Sequence, residues 1–124
     1  MPKVRPSKQT NKKISFSTIG DTNCHVETTL KIIGGKWKPV ILWHLSKATL
    51  RFSELEKKIP DISQKMLTQS LKELEQDRLI NRKAFPVIPP KVEYSITRHG
   101  ISLNRVLKEL DQWGQKHQDL FHAD

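Results

Sequence analysis

The side chains able to do chemistry fall into a few groups. One is a single thiol, Cys24, with His25 beside it and Lys31 further along. A thiolate near a helix N-terminus is stabilised by the helix dipole, and a lowered pKa raises its nucleophilic fraction. As the only cysteine it can form an adduct, a mixed disulfide or a bond to a second copy of itself. The alternative is an inert buried filler. A second group is polar and basic: Ser63, Gln64, Lys65, Thr68, Gln69 and Lys72. Gln can pair with adenine, Lys can donate to guanine, and the hydroxyls can hold phosphates. The same composition also coats any solvent-facing helix. A third group is Arg82, Lys83 and Lys91 around a proline-rich turn. These cations suit phosphates or a minor groove, or else a solvated hairpin.

Other chemistry is poorly served. Histidines stand at 25, 44, 99, 117 and 122, and no pair has familiar metal-ligand spacing. Gly34-Gly35 lacks the rest of a phosphate-binding loop. No set of serine, histidine and acid stands out, and Glu73 and Glu75 lie among ordinary surface charges. The expectation is no catalytic residue, no metal and no cofactor. An enzyme would need a pocket of convergent titratable groups.

The elements that must position these groups come next. A chain of 124 residues is the size of one domain. Its 22 Lys and Arg against 13 Asp and Glu leave a formal charge of +9, which raises affinity for polyanions. No apolar run reaches the roughly 18 residues of a membrane span. No apolar block follows the N-terminal charges, and the lone cysteine suits a reducing compartment, so the expected location is the cytoplasm, on the nucleoid.

Residues 1 to 22 read as a flexible basic arm, and 23 to 122 as the folded domain. Val26, Leu30 and Ile33 share a helical spacing that Gly34-Gly35 ends. Trp37 is expected in the core with Lys36 and Lys38 outside it, and Lys38 can reach a phosphate from the start of the next helix. Pro39 suits a first turn, and Val40 to Leu45 is nearly all apolar. Ser46 to Leu50 reads as a linker. Arg51 and Ser53 open a further helix, with Ser53 and Glu56 spaced as a capping box. Pro60-Asp61 breaks it.

Ser63 then caps a helix from Gln64 to about Gln76, buried through Leu67, Leu71 and Leu74. Two helices joined by a short turn, the second polar and basic outside, match a helix-turn-helix. Lys91 to Ile96 alternates as a half-buried strand, with Ile80 to Phe85 as its partner. Pro86, Pro89 and Pro90 stiffen the tip between them, and a hairpin directly after a recognition helix is a wing. Thr97 can cap a last helix carrying Leu103, Val106, Leu107, Leu110, Trp113, Leu120 and Phe121. That stripe is long for a domain this small, and a second copy of the chain is its simplest cover.

Four stretches, in this order and spacing, resemble the HxlR family of winged-helix regulators. They are Ile33-Gly34-Gly35-Lys36-Trp37-Lys38; Arg51-Phe52-Ser53-Glu54-Leu55; Ile62 to Thr68 running on to Leu71-Lys72-Glu73-Leu74-Glu75; and Pro89 to Thr97. The resemblance covers about Cys24 to Trp113. It implies a mainly α fold with a small β-hairpin, a winged helix-turn-helix, working as a homodimer through its first and last helices. Val26, Leu30, Val106, Leu110, Trp113 and Leu120 are then the interface candidates. It implies a transcription factor on double-stranded DNA, with inverted-repeat operators and recognition helices about one DNA turn apart. The recognition helix would be about 63–76 and the wing about 80–96.

Some members sense quinones, aldehydes or disulfide stress through a cysteine at the position of Cys24, so an electrophile or oxidant is one candidate effector. A small ligand with an inert Cys24 is another. One departure stands out: the family usually has glycine after the acid that ends the recognition helix, and here Arg78 follows Asp77. Winged helices also serve as protein-interaction scaffolds. A basic, polar face over 64–72 favours DNA over that reading.

Overall fold

A computed structural model describes residues 24–122. The arm expected at 1 to 22 lies outside the described residues. One compact unit ends at Ile33 and a second runs from Gly34.

In the first unit, α1 spans His25–Ile33. The Cys24 carbonyl accepts the Thr28 N–H at 3.3 Å, so Cys24 stands immediately before the helix. Its side chain is buried. Ile33 is buried too, whereas Val26 and Leu30 are exposed.

The second unit contains α2 (Trp37–Lys47), β1 (Leu50–Arg51), α3 (Phe52–Lys58), α4 (Gln64–Gln76), β2 (Ile80–Phe85), β3 (Lys91–Ile96) and α5 (Arg98–His122). Its core is aliphatic. Ile41 and Leu42 of α2, Leu55 of α3, Leu67, Leu71 and Leu74 of α4, and Leu79 and Ile80 are almost wholly enclosed. Each such side chain contributes roughly 1.5–3 kcal/mol by leaving water. Those three leucines of α4 therefore fix which side of the helix faces out.

Three local expectations are corrected. First, the segment read as a linker ends in β1, which pairs antiparallel with β3. The antiparallel sheet has the order β1-β3-β2. Second, because the chain stays extended through Arg51, α3 starts at Phe52 and Ser53 is already helical. The cap is Glu54, which accepts the backbone N–H of Arg51 at 2.7 Å, not the pair Ser53 and Glu56. Third, Trp37 is only half-buried while Lys38 is buried. Lys36 stays outside, its ammonium 4.6 Å from the Trp37 ring centroid.

The ends of α4 follow the expected chemistry. Ser63 Oγ accepts the Met66 N–H at 3.0 Å, satisfying one of the unpaired donors of the first turn. At the other end, Leu79 N–H bonds the Leu74 carbonyl and Arg78 N–H bonds the Glu75 carbonyl, both at 3.0 Å. This double closure requires a left-handed residue between them. Arg78 is that residue, with φ +62°. The wing therefore leaves α4 by the turn that glycine would make, built with an arginine.

Thr97 caps α5, accepting the Gly100 N–H at 2.9 Å. Gly100 is buried, and a Cβ there would collide with the Leu79 carbonyl and stand 2.6 Å from Ile96 Cγ1. The helix then runs 25 residues, about 37 Å at 1.5 Å per residue. Ile101, Val106, Leu110, Trp113, Leu120 and Phe121 along it are exposed. Trp113 stacks on His117 at 5.1 Å between ring centroids, and His117 meets Phe121 edge-on at 5.0 Å.

Candidate nucleic-acid interface

Burial of Leu67, Leu71 and Leu74 turns Gln64, Lys65, Thr68, Gln69 and Lys72 outward, and all five are exposed. They line one shallow, open depression along α4. The face holds amide and hydroxyl donors and acceptors with two ammonium groups, which is what base edges and phosphates require. Ser63 stands exposed at its N-terminal end. Its oxygen is engaged as a cap, and its hydroxyl proton is free to donate.

Gln69 of this face and Lys38 of α2 are both tied to Glu73, which reads in the sequence as an ordinary surface charge. Glu73 accepts from the Gln69 amide nitrogen at 2.6 Å and pairs with the Lys38 ammonium at 2.6 Å. The hydrogen bond from Lys38, then that from Gln69, holds the Glu73 carboxyl below its ordinary pKa. Lys38 is thus buried and paired with Glu73, where an outward position was expected of it. Met66 is exposed at the border of the α4 face. No sequence pattern marks it.

The wing sorts its cations by strand register. Lys83 stands opposite Glu93, Phe85 opposite Lys91, and Arg82 opposite Tyr94. Directly paired residues share a face, and neighbours along a strand alternate. Lys83 and Lys91 therefore lie on one face, with Phe85 and Glu93, and Arg82 lies on the other. Both lysine ammoniums sit over the Phe85 ring, at 5.0 and 4.5 Å from its centroid. Lys91 also approaches Glu93 at 3.6 Å, which offsets part of its charge. Arg51 of β1 pairs with Glu93 in register, so it joins the face of Lys83 and Lys91. Ser53 is exposed in the first turn of α3.

Among the described residues, no three His, Cys, Asp or Glu side chains gather where they could hold a metal ion. No described helix is long and apolar enough to cross a membrane.

A buried leucine stripe under a polar helix, followed directly by a two-stranded wing, is the architecture of a winged helix-turn-helix. The model of the HxlR-like helix-turn-helix family matches residues 32–121. This chain belongs to the HxlR family of helix-turn-helix transcriptional regulators. It is 47% identical over 106 residues to the HTH-type transcriptional regulator YdeP of Bacillus subtilis, covering 86% of this chain and 83% of YdeP. Among solved structures, the redox regulator HypR in its reduced form superposes with a TM-score of 0.75 at 39% identity, over 82% of this chain and all of HypR. The reduced form of the transcriptional regulator YodB from B. subtilis gives a TM-score of 0.68 at 37% identity, over 74% of this chain and 90% of YodB. The HxlR chain thus joins a family match over most of its length to structural neighbours that are transcriptional regulators.

Proposed function

We propose that this HxlR-family regulator binds double-stranded DNA at an inverted-repeat operator as a homodimer, acting in the cytoplasm on the nucleoid. The folded domain would run from about 23 to 122, with residues 1 to 22 as a basic arm. The observation that carries the reading is the exposed α4 face of Gln64, Lys65, Thr68, Gln69 and Lys72 over buried leucines. That face enters the major groove, with Ser63 at its leading end. Arg51, Lys83 and Lys91 from one face of the sheet, Arg82 from the other and Ser53 from α3 hold the backbone or the minor groove. Val26 and Leu30 of α1, and Val106, Leu110, Trp113 and Leu120 of α5, leave water against the second copy. Their exposure supports this, because large exposed apolar stripes mark interfaces.

A second proposal concerns the signal. The redox regulator HypR is among the structural neighbours, and Cys24 stands immediately before α1. In this reading Cys24 is the sensing thiol, reacting with an oxidant or an electrophile after its cover opens, since the thiol is buried.

The test is a gel shift of the full chain on the DNA upstream of its own gene, across a salt series, with and without diamide. The expected result is a discrete site whose affinity falls steeply with salt, through counterion release, and is altered by diamide in the native chain but not in Cys24→Ser. Diamide acting equally on both chains would remove Cys24 from the mechanism. If site selection from random DNA also yields no preferred sequence, the DNA-reading function itself fails, and a protein-interaction scaffold takes its place.

A further inference from the structure

Lys38, Glu73 and Gln69 form a chain from the interior to the outer face of α4. The Lys38 ammonium lies 2.6 Å from Glu73 Oε1, and Gln69 Nε2 lies 2.6 Å from Glu73 Oε2. One carboxylate thus joins the two side chains through separate oxygens. Lys38 has a side chain only 11% exposed, against 39% for Glu73. An ammonium that far from water needs its counter-charge, so Glu73 is held to one position instead of wandering as surface glutamates do.

A fixed carboxylate constrains the amide beside it. An ionised carboxylate only accepts hydrogen bonds, so Gln69 must turn a nitrogen towards it. Rotating the amide by half a turn would set its carbonyl oxygen against the carboxylate. What Gln69 has left to offer is its carbonyl oxygen and its second N–H. An isolated exposed glutamine would present either end.

We propose that Lys38 is a positioning residue for base recognition: through Glu73 it orients the Gln69 amide so that a carbonyl oxygen is the acceptor offered to the major groove, selecting adenine or cytosine at one position of each half-site. Both bases carry an exocyclic amine in the major groove, whereas guanine and thymine present oxygens there. Adenine also offers N7 to the second N–H of Gln69. The inference rests on the reading that α4 enters the major groove. It adds an orientation, and a reason for a buried lysine, that the exposed face alone does not contain.

The experiment is selection of bound sites from randomised duplex DNA by the full native chain, Gln69→Ala, Lys38→Met and Glu73→Gln. The native chain is expected to select A or C at one symmetric pair of positions, and Gln69→Ala to lose that preference. Lys38→Met keeps an unbranched apolar stem in the core. It is expected to weaken the preference for A or C over G or T there by about fivefold or more, the size of one good base contact, leaving other positions unchanged. Glu73→Gln is isosteric and carries the test if Lys38→Met does not fold. Its oxygen can serve Lys38 while its NH₂ faces Gln69, which turns the Gln69 amide over and moves the preference towards G or T. A Glu73→Gln chain that keeps the native preference at the Gln69-dependent position overturns the proposal, as does a Gln69→Ala chain with no changed position. A native chain that selects no site fails earlier, on DNA reading itself.

Discussion

The Thr97 hydroxyl donates to the carbonyl of Arg78 across 2.8 Å, joining the start of α5 to the residue that ends the recognition helix. The Leu79 carbonyl, 3.1 Å from the same hydroxyl, also accepts the Thr97 backbone N–H at 3.0 Å. The same oxygen, Thr97 Oγ1, caps α5 by accepting from Gly100. One side chain therefore sets where α4 stops, where the wing begins and where the last helix starts. Replacing Thr97 with Val removes all three contacts of the hydroxyl while keeping the shape. A loss of about 1–2 kcal/mol is expected in urea denaturation, the range for a lost cap. Thr97→Ser should retain most of the stability, and equal losses for both would show that the methyl, not the hydroxyl, matters.

Arg78 holds a left-handed conformation that glycine adopts without strain. Arg78→Gly is expected to stabilise the fold by up to about 1 kcal/mol, the relief of strain being partly offset by the freer unfolded chain. Thermal melting checks this. A lower melting temperature would mean that the arginine side chain contributes a contact outweighing its backbone strain.

The pair of Lys38 and Glu73 makes stability depend on acid. The folded-state pKa of Glu73 lies below its ordinary value of 4.5, chiefly through the hydrogen bond from Lys38. A depressed carboxylate contributes stability that is present above the unfolded pKa and is lost as pH falls through the folded one. The native chain should therefore weaken more than Lys38→Met as pH drops below 4.5. Denaturation midpoints taken across that acid range would fall in parallel if the pair had no such role.

Leu110 and Trp113 are among the exposed apolar residues of α5, at 50% and 66% exposure. If α5 covers itself with a second copy, Leu110→Glu places a charge in an apolar interface. Sedimentation should then show a monomer with intact helical content, and operator affinity should fall because half-sites bind singly. A native chain that sediments as a monomer at micromolar concentration would end the dimer proposal.

Lys83 and Lys91 share a face of the wing with Glu93, and the ammonium that approaches its carboxylate, at 3.6 Å, is that of Lys91. Lys83 is the freer charge. Lys83→Ala should weaken binding on all sequences alike and lower the salt dependence by about one phosphate contact per half-site. Lys91→Ala should change the slope less. Equal slopes for both variants and the native chain would take the wing off the phosphates.

Much of this architecture was legible in the sequence, because it is written in local signals. Ser63 before the spaced leucines of α4 reports a cap and a buried stripe, both settled within a few residues. The alternation of Lys91 to Ile96 and the prolines at the tip likewise report a hairpin from its own segment. Thr97, as a cap, and Arg78, as the residue in a glycine's place, could be named before the fold was known.

What the tertiary structure decided depends on residues that meet only in space. Leu50 and Arg51 are too short a run to show alternation, and they became a strand because the edge of β3 was available to pair. That pairing moved the cap of α3 from Ser53 to Glu54, and it put Arg51 on the face of Lys83 and Lys91. Register, not composition, separated Arg82 from those lysines. Lys38 looked like a surface cation in a short basic motif, since nothing near it in the chain announces a counter-charge. Packing of α2 against α4 brought Glu73 to it, and an ammonium can be buried only where such a partner waits.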